Sequence, residues 1–297
     1  MSEAIDRLIA CVLEAAARGE TLDPHALVLL TRVYATTGRP DVAAALGSGL
    51  AVLLTGSDST GAPEWRAEHV IALAEASAVA DDERVAARAA ALAEDLRRER
   101  PPIVATAALS VHACLQASGL AASPMLMPDT IDVLEAIVAG AYCPGEGVTH
   151  TWQRPTDRRG QLGDYVRLAS ALLAAYDVSG RLPYSMLAEE LMQHARRAFR
   201  DVSGGGLVSP DAMPARMLFV LNCEAARVFG RLAALHADPA YRQAAVVAPE
   251  ADYLRDAQET LESQKGASEM LGAAGAMFAI AAQEIGEIAE FRIQNSE

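Results

Sequence analysis

Apolar side chains recur along this chain at i, i+3, i+4 and i+7, the spacing that lines one face of an α-helix, with no period-2 strand pattern between them. Segments of this kind, bounded by Gly, Pro or Asp turn signals, predict about twelve helices. They fall at approximately 3–18, 24–37, 40–55, 64–79, 82–99, 102–118, 128–140, 161–179, 184–199, 214–236, 239–262 and 267–293, the eleventh with a possible break at Pro249.

Three stretches repeat one pattern: LVLLTRVYATTGRPDVAAALGSGLAVLL, LASALLAAYDVSGRLPYSMLAEELMQHARRAF and AARVFGRLAALHADPAYRQAAVV. Each is an apolar helix, a tight Thr/Ser-Gly or Ala-Asp turn, a proline near the next helix start, and a second alanine-rich helix. Tyr34 stands four residues before Gly38, as Tyr176 stands before Gly180. Glycine suits the left-handed cap that ends a helix, and proline suits a first turn where its missing N–H costs nothing. Each unit therefore reads as an antiparallel helical hairpin.

Hairpins of roughly 50 residues, longer than the about 34-residue tetratricopeptide unit, predict one all-α domain over 1–297. The expected architecture is an α/α toroid, a barrel-like ring of six antiparallel hairpins. The run Met270–Ala282 (MLGAAGAMFAIAA) is apolar nearly all round, so the last helix is expected to be buried and to pack against the first. Connections inside hairpins are short, whereas Gly56–Pro63, Ala141–Gly160 and Arg200–Pro214 are long. In a toroid these long loops share one face, beside several helix N-termini, and that face is where binding is expected.

Composition supports this picture and removes some partners. Only 5% of residues are aromatic, which favours close-packed helices over sheets. The balance of 25 Lys+Arg against 39 Asp+Glu gives −14, which repels nucleic acid and anionic membrane surfaces alike. The N-terminal segment reads as a helix, since Glu3 and Asp6 stand where a targeting sequence would be basic. No apolar run reaches the roughly 20 residues of a membrane span, and a cytoplasmic location is expected. Cys11, Cys114, Cys143 and Cys223 form no CxxC, and no histidine pair has metal-site spacing, so neither a metal nor a cofactor is expected.

Chemistry gathers in the loop AYCPGEGVTHTWQRPTDRRG, which holds Glu146, His150, Trp152, Asp157, Arg158 and Arg159. An acid, an imidazole, an indole and guanidiniums beside a cavity mouth suit a sugar or another polar small molecule. The alternative is an ordinary polar loop with one anchoring tryptophan. Asp164 and Tyr165 open the next helix: Asp164 either caps it or faces the cavity as acid, base or hydroxyl acceptor, and Tyr165 either packs or stacks on a ligand. Asn222, an amide among apolar neighbours, is either a cavity hydrogen-bonder or a packing residue. His194, between Gln193 and Arg196, is expected to be exposed, and Ser203–Pro210 to turn sharply into a short extended excursion. The presumed inner helices read as poor in polar side chains.

The run LGDYVRLASALLAAYDVSGRLPYSMLAEELMQHARRAFRDVSGGG resembles the toroid part of thioredoxin-domain-containing proteins of the spermatogenesis-associated type, which is related to sugar epimerases and glycosidases. LNCEAARVFGRLAALHADPAYRQAA is similar to that family's next hairpin, and the likeness covers about Gly160–Ala245 and extends to Leu27–Leu54. Of the cavity-side signature it implies, Asp164, Tyr165 and Asn222 are present, while the Trp-Asn-Gly and Ser-Gly-Asn helix starts are absent, as are a thioredoxin domain and its CxxC. These losses point to a non-catalytic or degenerate toroid, a binding or accessory module with a protein partner. The alternative is a carbohydrate-active protein of epimerase or glycosidase type, with Asp164, Glu146 or His150 as its acid/base groups and Trp152, Tyr165 or Asn222 binding a sugar.

Overall fold

Glycine and proline set the hairpin turns. A computed structural model describes residues 2–55, 61–120, 125–153, 159–201, 204–244, 247–248 and 250–294. The predicted Asp157, Arg158, Ser203 and Pro249, and the start of the Gly56–Pro63 loop, lie outside them. Helix α1 covers Ser2–Ala17, and α2 (Pro24–Thr37) is capped by Asp23, whose carboxylate accepts from Ala26 N at 2.8 Å. α2 ends at Gly38, φ 61°, whose N–H reaches Tyr34 O at 2.8 Å, and α3 (Pro40–Thr55) then returns. The same device closes α8 (Leu162–Ser179): Gly180, φ 66°, bonds Tyr176 O at 2.7 Å before α9 (Leu182–Phe199) turns back. A side chain at either glycine would be forced into the left-handed region, which explains the spacing shared by the two repeats.

The remaining helices are α4 (Pro63–Ala76), α5 (Glu83–Arg98), α6 (Val104–Ala117), α7 (Leu126–Ala141), α10 (Ala215–Leu235), α11 (Pro239–Ala244), α12 (Tyr253–Glu262), α13 (Lys265–Leu271) and α14 (Ala276–Gln294). The only strands among the described residues are β1 (Tyr142–Cys143) and β2 (Gly147–Val148), an antiparallel pair. Two predicted helices are split. Residues 239–262 become α11 and α12 because Asp252 caps a fresh start, accepting from Arg255 N at 3.2 Å. Residues 267–293 are broken by a 3₁₀ turn at Gly272–Gly275, where Gly272 has φ 55°. A Cβ on Gly275 would lie 2.7 Å from Ser268 O and 3.2 Å from Leu8 Cδ2, so the turn packs on α1 only because no side chain intervenes.

The described residues form two compact units. One comprises Met1–Pro101, Leu109–Val133 and Ala267–Ile280, the other Pro102–Ala108, Leu134–Gly266 and Ala281–Glu297. The first is centred on Leu27, Leu29, Leu30, Leu73 and Leu96, the second on Tyr165, Leu172, Phe229 and Tyr253, all buried. Residues Ala276–Ala282 of the apolar run are buried as well. Among the described residues no helix is long and apolar enough to cross a membrane, and no group of three His, Cys, Asp or Glu stands ready for a metal.

The four cysteines are free and differ in reach: Cys143 is exposed, Cys11 half-buried, Cys114 and Cys223 buried. Burial pushes the Cys114 thiol up to about 12 and raises that of Cys223 as well, which keeps both protonated and unreactive near neutrality. Ellman's reagent at pH 8 is expected to titrate Cys143 and Cys11 in the native protein and all four thiols after denaturation. Native reaction of Cys114 or Cys223 at the rate of the denatured chain would contradict this placement.

Candidate functional site

The first turn of α8 and the loop before it bring together two of the predicted residues. Asp164 is fully buried, and its carboxylate collects three donors: Gln161 N at 2.7 Å, Ala105 N at 2.9 Å and His150 Nδ1 at 2.8 Å. The first closes the start of α8 and the second the start of α6, so one carboxylate satisfies free N–H groups at two helix N-termini. Capping is the geometry Asp164 adopts, and its carboxylate does not face open space. Burial raises its pKa, against the opposing hydrogen bonds from His150 and Gln161.

His150 is the partner that keeps some exposure. Its carbonyl accepts from Val104 N at 3.0 Å, and its side chain is 16% exposed. With a carboxylate accepting at Nδ1, that nitrogen carries the proton, and the neutral ring keeps its lone pair at Nε2. No hydrogen bond to Nε2 is present among the described residues. A buried acid holding an imidazole in one tautomer is an arrangement suited to proton transfer.

Tyr165 secures the strap that carries His150. Its hydroxyl accepts from Val148 N at 3.2 Å, and its ring stacks on His194 at 4.9 Å and meets Phe199 edge-on at 5.6 Å. Gly147 and Gly160 leave room for it, since a Cβ on Gly147 would lie 2.2 Å from the hydroxyl. His194 is thus half-buried, not exposed as its polar neighbours suggested: the aromatic stack covers one face. Burial, with Arg197 and Arg159 nearby, lowers its pKa.

The other candidates are placed elsewhere. Glu146 is exposed at the β1–β2 tip, and Trp152 is half-buried, with its N–H on Pro102 O at 3.2 Å. Asn222 is buried in α10 and spans the backbone of Leu207: Oδ1 accepts from Leu207 N at 2.7 Å, and Nδ2 donates to Leu207 O and Leu218 O, both at 2.9 Å. It anchors the extended excursion, where Arg200 and Leu207 form an antiparallel bridge.

The expected poverty of polar groups on the long helices is overturned in the second unit. Arg167 of α8 pairs with Glu224 of α10 at 3.2 Å, Arg227 of α10 with Glu284 of α14 through two bonds of 2.7 Å, and Arg231 of α10 with Asp177 of α8 at 2.5 Å. The α8–α10 pairs ascend together along both helices, which therefore run parallel. Burial lowers the pKa of Arg231, although 28% of its side chain is accessible. Three guanidiniums matched by three carboxylates give this face strong donors and acceptors without net charge. The signal lay in the sequence: Glu224, Arg227 and Arg231 have i, i+3, i+7 spacing within an otherwise apolar helix.

No protein-family model matches the chain, and no curated protein does. Solved structures match it in fold. The GH76A α-1,6-mannanase of Salegentibacter sp. HEL1_6 superposes with a TM-score of 0.65 at 12% identity, over 95% of this chain and 99% of that one. The cellobiose 2-epimerase of Spirochaeta thermophila superposes with 0.61 at 13% identity, over 90% and 85%. The fold is an α/α toroid. An inactive variant of the mannanase, solved in complex with α-1,6-mannotriose, superposes with 0.64 at 12% identity over 94% and 98%. At these identities the likeness establishes fold alone.

Proposed function

We propose that this α/α toroid is a carbohydrate-active protein in which His150, oriented by Asp164, exchanges a proton with a bound neutral sugar. The observation that carries the reading is the Asp164–His150 pair with Nε2 unoccupied among the described residues. The charge-balanced faces of α8, α10 and α14 support a neutral polyol, whose hydroxyls can donate to carboxylates and accept from guanidiniums. The fold is shared with sugar epimerases and a mannanase, and the likeness of Gly160–Ala245 to the spermatogenesis-associated family supports the same architecture.

A glycosidase needs two carboxylates roughly 5–10 Å apart across one bond. Asp164 is closed in by its donors and Glu146 sits at an exposed turn. Proton removal from the carbon beside a sugar carbonyl, the chemistry of an epimerase or isomerase, asks only for a poised base and suits the pair better. In heavy water, the C2 proton of cellobiose, mannose or mannotriose is expected to exchange for deuterium, followed by NMR. His150→Gln is expected to slow the exchange by about 100-fold or more, with the melting temperature nearly unchanged. Equal rates in the variant would remove His150 from the chemistry.

The second reading is a non-catalytic accessory module. Its support is that Asp164, Tyr165 and Asn222 are all engaged in packing and backbone hydrogen bonds. Saturable binding of these sugars, or of a protein, with no exchange in the wild-type protein would decide for it.

A further inference from the structure

Two arginines of the second unit stand apart from its pattern of ion pairs. Along α9, Arg196 reaches Asp256 at 3.0 Å and Arg200 reaches Glu259 at 2.7 Å. Arg197, between them, and Arg159, beside Gly160 ahead of α8, are exposed and make no ion pair or side-chain hydrogen bond among the described residues. In a chain of net charge −14, with acids in excess of bases, two guanidiniums without a carboxylate are a signal.

The fold brings both toward one ring. His194, three residues before Arg197 and so on the same face of α9, stacks on Tyr165 with centroids 4.9 Å apart and planes 6° apart. Arg159 meets this stack from the strap: its backbone bridges Thr149, and at the next residue, Gly160, a Cβ would lie 3.2 Å from Tyr165 Cε2. Burial first, and then Arg197 and Arg159, lower the pKa of His194, so both cations stand within electrostatic reach of the imidazole. Glu190, one turn before His194, acts the opposite way, but its carboxylate already accepts from the Tyr142 hydroxyl at 2.7 Å.

Two guanidiniums beside one imidazole repel each other and disfavour the imidazolium, a cost that a bound anion reverses. Each guanidinium offers a fork of N–H donors that matches phosphate oxygens, and a His194 N–H adds another. The charge of the whole chain sets the size of the ligand. A net −14 repels a polyanion at long range, so a single phosphate group suits the site and nucleic acid does not.

We infer that Arg159, His194 and Arg197 form a phosphate-binding site beside the strap, for the free anion or for a phosphate carried on a sugar. None of the three takes part in the proposed proton transfer, and the site does not rest on the carbohydrate reading. Inorganic phosphate and mannose 6-phosphate would be titrated into the full chain by calorimetry at constant ionic strength, with chloride as the control. Both are expected to bind saturably. Tighter binding of mannose 6-phosphate assigns the site to a phosphorylated sugar, and affinity no better than that of phosphate assigns it to the free anion.

Arg159→Gln and Arg197→Gln, both at exposed positions, are each expected to weaken phosphate binding by about tenfold, the scale of one hydrogen bond to a charged group. The melting temperature without phosphate should stay unchanged. Surface charge alone would not move the His194 ring. Its NMR titration, assigned by its loss in His194→Gln, should shift to higher pH on adding phosphate, since a bound anion and the imidazolium favour each other reciprocally. Binding of neither ligand, equal binding of chloride, wild-type affinity in the Arg159→Gln, Arg197→Gln double variant, or a His194 titration unmoved by saturating phosphate would each overturn the site. His150→Gln should lose exchange and keep phosphate binding, so the two readings fail separately.

Discussion

Asp164→Ala is expected to lower the unfolding free energy by about 3–5 kcal/mol, the cost of leaving two buried backbone N–H groups and an imidazole without their charged acceptor. For a chain of this size that corresponds to a fall in melting temperature of roughly 6–15 °C. The reason is the number of groups left behind. Gln161 N–H and Ala105 N–H would both lose their acceptor inside the protein, and His150 would lose the group that sets its tautomer. Asp164→Asn retains one oxygen but turns an amide N–H toward donors, so it should recover only part of the loss. Both variants should also slow any exchange that depends on His150. A melting temperature within about 2 °C of wild type for Asp164→Ala would show that these three donors find other partners, and the two helix starts would then be held together by something else.

The helices and their turns were legible because they follow local rules. Pro24, Gly38, Pro40 and Gly180 mark boundaries that the structure places at the same residues, and Gly38 and Gly180 adopt the expected left-handed conformation. Pro249 signalled the break before α12, whereas the break near residue 272 was harder to read. It depends on a glycine, Gly275, meeting Leu8 from the far end of the chain, which periodicity does not report. The Asp164–His150 contact was half visible. Both residues were candidates, but they stand fourteen positions apart in the chain, and only the folded strap determines that they meet. The Arg–acid pairs were hidden by a different effect. Each helix shows isolated charges in an apolar run, and their significance appears only when the partner helix supplies the opposite charge at matching height.

Asn222→Ala is the second substitution expected to act strongly, by about 2–4 kcal/mol, because it leaves buried backbone groups unpaired. The Asn222 amide does for Leu207 what a neighbouring strand would do, accepting from its N–H and donating to its carbonyl, and its second N–H reaches Leu218 O. Leu207 is itself buried, so water cannot readily replace the lost partner. Beyond this amide, backbone bonds from Asp201 N to Gly206 O, from Gly205 N to Asp201 O and from Val208 N to Phe199 O close the excursion after α9. Limited proteolysis is therefore expected to cut Asn222→Ala first within this segment, before global unfolding. Asn222→Asp distinguishes hydrogen bonding from packing, because it preserves volume but presents an acceptor to both carbonyls that Nδ2 now serves. It should be less stable than Asn222→Ala, whereas a site that needed only the shape of the side chain would rank the two in the opposite order.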